Sequence, residues 1–176
     1  MVTTARPVAF RTYQATDYDA VASLWARINR ELAPIGMEEM FERYIPTIVD
    51  GELKQLLDVF SEARRSAFWV VESESDVVGS FGIESRSLNE TELRRMYLDQ
   101  GYRGSGIAQR MLEFALQEAR ARGFTKMILS TAEIQKAADK FYRKSGFRLV
   151  RTEVATEMTA KQAGGGLVRL HFEKEL

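Results

Sequence analysis

The sequence predicts an α/β fold in which a mixed, mostly antiparallel central sheet of six to seven strands is flanked by helices. Segments with a period of two residues alternate with longer segments whose apolar residues repeat about every 3.6 residues. Two strand-like segments, SAFWVVES and DVVGSFGIES, are separated only by a short polar turn, which is typical of an antiparallel hairpin. Three consecutive glycines separate the last two strand-like segments and favour another strand pair.

The N-terminal part predicts one strand followed by a helix. Val8 to Tyr13 has the pattern of a short strand. The helix is predicted over TDYDAVASLWARINREL, with Thr16 or Asp17 available as the N-cap. Pro34 and Gly36 end it. The segment therefore begins on a strand that can join the sheet and continues into an amphipathic helix.

The next part predicts broken helix and then three strands. The pattern of MEEMFERYIPTIVDGELKQLLDVFSEARR favours helix interrupted near Pro46 and Gly51. The hairpin follows, with its turn at Glu74 to Asp76, and TELRRMYLD is the third strand of the same meander.

The C-terminal half predicts two helices and three further strands. A helix that Gly123 ends buries Ile107, Ala108, Met111, Leu112, Ala115 and Ala119. TKMILST is predicted as a strand and EIQKAADKFYRKSG as a helix. FRLVRTEVATEM and GLVRLHFEKEL form a final strand pair, with Gly164 to Gly166 in the turn between them.

Composition excludes several classes of protein. The 25 basic and 25 acidic residues cancel, so the chain lacks the basic excess of a nucleic-acid-binding protein. It has no cysteine, which excludes disulfides and thiolate metal sites, and no carboxylate cluster has metal-ligand spacing. No run of about 18 apolar residues predicts a membrane span, and the first residues do not resemble a signal peptide. We expect a single domain over residues 1–176, soluble and cytoplasmic, without metal, nucleic-acid or membrane partner.

The segment LDQGYRGSGIAQRML, residues 98–112, places glycines directly before a helix. The first amides of a helix lack intrahelical acceptors and lie at the positive end of its dipole, so they favour an anion. Gly104 and Gly106 let phosphate oxygens approach the main chain, and Arg103 adds a cation. The alternative is a strand-to-helix turn that needs glycine only for its geometry. No Gly-Lys-Ser/Thr follows, and the third glycine of a dinucleotide fingerprint is absent.

Two motifs carry a family resemblance. RGSGIA, with Arg103, Gly106 and Ala108 in the pattern Gln/Arg-x-x-Gly-x-Gly/Ala, resembles the coenzyme A-binding motif of the GNAT N-acetyltransferase family. AADKFYRKSGF, Ala137 to Phe147, is similar to the family's second signature. The resemblance covers residues 68–150 and implies the GNAT fold. It also implies acetyl transfer from acetyl-CoA to a primary amine of a small molecule or peptide, with a homodimer as one option.

The resemblance also implies a coenzyme site. Glu92 to Leu98 would splay from the strand Lys126 to Thr131, leaving main-chain groups that the pantetheine arm pairs with like an added strand. Met96 and Leu98 would contact the pantetheine and acetyl group by main chain, and an N–H near Met96 or Tyr97 would polarise the thioester carbonyl. The diphosphate would be bound by the amides of Arg103, Gly104, Ser105, Gly106, Ile107 and Ala108.

Tyr142 and Glu92 are the candidate catalytic residues. Tyr142 matches the signature tyrosine and would protonate the leaving thiolate; its alternative role is a core aromatic. Glu92 would act as the base for the amine; its alternative is a solvated strand-end carboxylate. Strict alternation places Glu92, Arg94 and Met96 on one face, although a bulge would reset the count. Gln135 stands where the family usually has Asn, and its side chain could still bind the coenzyme. In the loop before the glycines, Gln100-Gly101 stands where the family often has Pro-Glu.

A second function stays open from the sequence: a non-catalytic sensor or regulatory module that binds acetyl-CoA or coenzyme A without turnover. An acceptor region without an open cleft would favour this reading. Within the single domain, we expect acceptor-shaping helices at about residues 16–65, an acetyl-CoA-binding core at about 68–150 and a C-terminal strand pair at about 147–176.

Overall fold

A computed structural model describes residues 7–176, and residues 1–6 lie outside the described part. One seven-stranded sheet runs through this part in the order β1-β2-β3-β4-β5-β7-β6. Its strands are β1 Ala9–Thr12, β2 Ala67–Ser73, β3 Asp76–Ser85, β4 Glu90–Leu98, β5 Lys126–Ala132, β6 Arg148–Ala155 and β7 Leu167–Glu175. Neighbouring strands are antiparallel except the parallel pair β4–β5. The predicted mixed, mostly antiparallel sheet is confirmed.

Helices cover both faces of the sheet. They are α1 Tyr18–Leu32, α2 Glu38–Pro46, α3 Leu56–Val59, α4 Ile107–Ala121 and α5 Lys136–Lys144. In residues 7–176, no helix combines the length and the apolar character needed to cross a bilayer.

The start of α1 includes one of the two predicted N-cap residues. A short turn of 3₁₀ helix, Ala15–Asp17, precedes α1. The Asp17 carboxylate accepts the N–H of Gln14 at 2.8 Å and pairs with Arg11 at 2.8 Å, so it lies inside the first turn. Asp17 is the N-cap of α1 by position, as one of the two predicted alternatives, but its side chain makes no cap bond to α1, and Gln14 is the N-cap of the 3₁₀ turn before it.

The predicted break after Pro46 is a change of helix type. Pro46 is the last residue of α2, and a π-helical turn, Thr47–Glu52, continues the chain through Gly51. Proline cannot donate to the preceding turn, which favours a wider turn at this point. As a result, the Glu52 side chain is buried, and its carboxylate pairs with Arg94 and Arg95 of β4.

Two hydrophobic cores form on opposite faces because β2 is buried on both of its faces. Trp69 and Val71 pack into the core that contains α4 and α5. Phe68 and Val70 pack into the second core, which α1, α2 and α3 cover. This arrangement places the N-terminal helices on the face opposite α4, beside strands β1 to β4.

Strands β4 and β5 diverge. They pair only at Glu90–Glu92 with Lys126–Ile128, whereas β5 pairs with β7 along its whole length. We call the opening between residues 94–98 of β4 and 129–132 of β5 the wedge. It leaves main-chain edges unpaired between strands at the middle of the sheet.

Candidate active site

A bulge in β4 shapes one side of the wedge. The register passes from Gly82 opposite Arg94 to Ser80 opposite Tyr97, so β4 has one extra residue. Arg95 takes a φ of +50°, a region that a long side chain rarely occupies, and its surroundings must hold it there. Both Arg94 and Arg95 consequently bind the same carboxylate, Glu52.

The bulge corrects the expected alternation. Met96 and Leu98 pack into the core with α4, whereas Tyr97 packs on the side of the N-terminal helices. Of the two alternatives left open by the sequence, the bulge is therefore the one present: the extra residue resets the period of two, and Met96 does not share a face with Glu92 and Arg94.

The Arg95 guanidinium fixes the bulge to the N-terminal helices. Its Nη1 lies 3.3 Å from the hydroxyl oxygens of both Tyr44 and Tyr97, and its Nε lies 3.2 Å from a Glu52 oxygen. It also covers the Trp25 ring at 5.1 Å. Burial opposes the charge, but Tyr44, Tyr97 and Glu52 together raise the pKa of Arg95 well above its ordinary value.

A cavity of about 120 Å³ occupies the wedge. It reaches from α5 on one face to α1 and α2 on the other, where Asn29, Phe41 and Tyr44 contribute to its wall. The predicted residues that line it are Glu92, Met96, Tyr97, Gln135 and Tyr142. The diverging strands thus connect the two faces of the sheet at the point where both candidate catalytic residues lie.

Tyr142 is a core aromatic whose hydroxyl reaches the cavity wall. Its ring packs against Phe147 and Phe172 at centroid distances of 5.7 and 6.3 Å. Its hydroxyl donates to Sδ of Met96 at 3.8 Å on the cavity wall. Burial and, to a smaller extent, Tyr97 raise the pKa of Tyr142 above its ordinary value, so the phenol carries its proton at neutral pH.

Glu92 is buried and ion-paired. Lys161 Nζ lies 2.8 Å from its Oε2, and Arg86 Nε lies 3.3 Å from the same oxygen. Burial acts to raise the pKa of Glu92, but the positive charges of Arg94, Lys161 and Arg86 lower it overall. The group is therefore an ionised carboxylate in the cavity wall and not a solvated strand-end residue.

The segment 99–108, here called the glycine loop, presents its backbone to solvent. Gly104 and Gly106 have φ values of +73° and +81°, and a Cβ placed on either would meet no atom within 4 Å. Within residues 7–176, no main-chain or side-chain acceptor is seen for the N–H groups of four residues that lead into α4: Gly104, Gly106, Ile107 and Ala108. The N–H of Arg103 differs, because it donates to Gln100 O at 3.2 Å.

Side chains attach the glycine loop to α1. Arg103 Nε donates to Leu98 O at 2.9 Å, and its Nη2 lies 2.9 Å from Glu31. Asp99 accepts from Arg27 at 2.7 Å and from the Gly101 N–H at 3.0 Å. The Leu98 carbonyl expected to face pantetheine is thus bonded within the chain, and the loop is held while its glycines stay uncovered.

Gln135 lies at the start of α5 beside the wedge. Its Oε1 accepts from Thr131 Oγ1 at 2.7 Å, and both side chains line the cavity. The amide of this longer side chain therefore reaches the splayed part of β5.

Sequence reasoning missed three cations of the cavity wall, Arg95, Lys161 and Arg169. Arg169 alternates with His171 on β7, a period-two signal that was present in the sequence. Lys161 had no such signal, because it lies in the turn region between β6 and β7 and meets Glu92 across 69 residues.

Comparison with known proteins gives one family match. A sequence model described as the Acetyltransferase (GNAT) family matches residues 35–147. An uncharacterized N-acetyltransferase, YjgM of Escherichia coli, is 36% identical over 57% of this chain and 62% of its own length. An N-acetylaspartate synthetase of Xenopus tropicalis is 37% identical over 66% of this chain and 45% of its own. The chain thus spans about half to three fifths of these relatives.

Solved structures agree on the fold. The PaiA N-acetyltransferase of Thermoplasma acidophilum, solved with coenzyme A, superposes with a TM-score of 0.78 at 20% identity, covering 97% of this chain and 99% of that one. A GNAT acetyltransferase of Staphylococcus aureus gives a TM-score of 0.75 at 16% identity, covering 97% and 99%. At these identities the likeness concerns the fold.

Proposed function

The chain belongs to the GNAT acetyltransferase family, and on this premise we propose that it is an acetyl-CoA-dependent N-acetyltransferase. It would move the acetyl group to a primary amine by direct attack within a ternary complex. The observation that carries the proposal is the wedge cavity, which has Glu92 and Tyr142 on its wall and extends to the N-terminal helices. An open cleft at this place favours an enzyme over a sensor that only binds the coenzyme.

The glycine loop fits the diphosphate of acetyl-CoA. Its four N–H groups without acceptors in the described chain and its uncovered glycines suit an anion at a helix start. The pantetheine arm would enter the wedge, where β4 and β5 leave main-chain groups unpaired, and Gln135 would contact it from α5. Bound acetyl-CoA supplies an acetyl thioester to the cavity.

Residues of the cavity wall would stabilise the charges that form during the reaction and transfer its protons. Glu92 is ionised and can hold the ammonium group or take its proton, directly or through water. A main-chain N–H of Met96 or Tyr97 would donate to the thioester carbonyl oxygen as negative charge develops there. Tyr142 keeps its phenol proton at neutral pH and can give it to the departing sulfur.

The proposal assigns a role to each part of the chain. Residues 68–150 would bind acetyl-CoA, the helices in 16–65 would shape the acceptor site, and the strand pair in 147–176 would close its other side. Lys161 and Arg169 on the cavity wall support the last assignment. The cytoplasmic location and the homodimer stay predictions.

Release of free thiol from acetyl-CoA, measured against a panel of primary amines, tests the proposed function. We expect release with at least one amine and none above background without an acceptor. Coenzyme binding by calorimetry with no release for any amine would instead support the sensor.

A further inference from the structure

Arg169 occupies a distinctive place at the mouth of the wedge. In β7 it lies opposite Ala132 of β5 and Glu153 of β6. Its side chain lines both the wedge cavity and an adjoining cavity of about 490 Å³. Any acceptor amine that reaches the wedge through the adjoining cavity would pass this guanidinium.

The other cations of the wedge wall have carboxylate partners. Arg94 and Arg95 bind Glu52, and Lys161 binds Glu92. The Arg169 side chain has no carboxylate within 4 Å in the described part of the chain, and the one hydrogen bond found for it there runs from Nη2 to Ser130 Oγ. Its remaining guanidinium donors are therefore available to a ligand.

The electrostatic setting of Arg169 favours an anion. Burial and, to a smaller extent, the Arg95 charge lower the pKa of Arg169, while Tyr44, Glu153 and Glu92 act in the opposite direction. A bound anion would offset the cost of this buried positive charge. A carboxylate suits the position, because it brings a single charge and two oxygens that match the planar donors of arginine.

Glu92 and Arg169 line the same two cavities with opposite charges. Building on the proposed function, we propose that the acceptor is an amino acid with a free carboxylate, which Arg169 binds while the amine lies toward Glu92. Arg169 thereby determines which amines are acetylated, and the bond to Ser130 orients its guanidinium.

Paired acceptors test this assignment. Each L-amino acid of a panel is compared with its carboxamide, and the ratio of kcat/KM for acid over amide is measured in the native chain and in Arg169→Gln. The difference in amine pKa between acid and amide cancels when the two proteins are compared. We expect the ratio to fall about 10- to 100-fold in the variant, the range of a lost charged hydrogen bond.

Controls separate specificity from folding. Arg120→Gln, at an exposed arginine of α4, should leave the ratio unchanged, and Arg169→Lys should retain part of it. The KM of Arg169→Gln for acetyl-CoA, measured beside these ratios, shows whether the variant still folds and binds the coenzyme. Calorimetry with the unmodified protein adds a readout independent of the variant: N-acetyl amino acids should bind at least tenfold more tightly than N-acetyl amino acid amides.

Two results would overturn the inference, and they are distinguishable. An equal ratio in both proteins, or equal affinity for both product types, contradicts the role of Arg169 and leaves the acetyltransferase standing. Absence of acetyl transfer to every acid and amide, with release on another primary amine, contradicts the inference alone, whereas absence of release with any primary amine contradicts the proposed function as well.

Discussion

At the residue scale, Tyr142 combines packing in the core with a hydroxyl on the cavity wall. Three neighbouring aromatic rings hold the phenol, and its hydroxyl emerges on the cavity wall next to Met96. The same burial that fixes the ring raises its pKa, so position and protonation state have one cause.

Removing this hydroxyl separates the two roles. For Tyr142→Phe we expect kcat to fall about 100-fold, because a general acid contributes at least that factor, while the Kd for acetyl-CoA stays within about twofold. Steady-state kinetics and calorimetry measure both. Tyr18→Phe, on α1, serves as the matched control and should keep full activity. Full turnover in Tyr142→Phe would remove the assigned acid.

The two catalytic candidates also predict a pH profile. Because the pKa of Glu92 is lowered, its carboxylate is ionised throughout the neutral range, and because the pKa of Tyr142 is raised, its phenol is protonated there. With an alkylamine as the acceptor in this measurement, the titrating group is then that amine, whose ammonium form has a pKa of about 10. We expect kcat/KM to rise about tenfold per pH unit from pH 6 to 9, and a decline before pH 9 would speak against Tyr142 as acid.

At the scale of elements, the site depends on two departures from regular structure, the glycine loop and the β4 bulge. The loop was predictable because glycines before an amphipathic helix form a local pattern. The bulge was not predictable. The positive φ of Arg95 is held by contacts of its side chain with Tyr97 nearby and with Glu52 and Tyr44, which are distant in sequence. Local propensity alone disfavours that conformation.

Substitution of Gly106 tests whether the glycine loop binds the diphosphate. Alanine there keeps a left-handed backbone at a cost of about 1–2 kcal/mol and adds a methyl where the diphosphate would approach. We expect the KM for acetyl-CoA to rise about tenfold with little change in kcat at saturation. Gly36→Ala is the matched control, since its φ is +87° with open space around it, and its coenzyme KM should not change. Equal coenzyme KM values in both variants would argue that Gly106 serves turn geometry only.

Substitution of Glu52 tests whether this carboxylate stabilises the β4 bulge. Its side chain is 7% exposed and neutralises both Arg94 and Arg95, so Glu52→Gln leaves two buried guanidinium groups without that charge. We expect the free energy of unfolding in urea to drop by about 3 kcal/mol. The exposed Glu39 pairs with Arg43 on the surface of α2, and Glu39→Gln should cost about 0.5 kcal/mol or less. Similar losses in both variants would show that the bulge does not depend on Glu52.

At the scale of the whole molecule, the sheet brings distant segments to one opening. Periodicity predicted the strands, and the glycines before α4 predicted the glycine loop. The divergence of β4 and β5 that the family resemblance implied is present, since their pairing stops after Glu92. The contribution of the C-terminal residues to the wedge wall was not predictable. Lys161 and Arg169 reach the wedge only through the pairing of β7 with β5 and the turn region after β6, contacts that no local pattern encodes.

Amide chemical shifts of the ¹⁵N-labelled protein, followed while acetyl-CoA is added, test most directly whether bare backbone amides bind the diphosphate. We predict saturable shifts at Gly104, Ser105, Gly106, Ile107 and Ala108, together with Met96 on the wedge, and no shift at Gly36. Saturable binding that leaves these loop amides unmoved, or no binding at all, would contradict the assignment of this loop and wedge to the coenzyme.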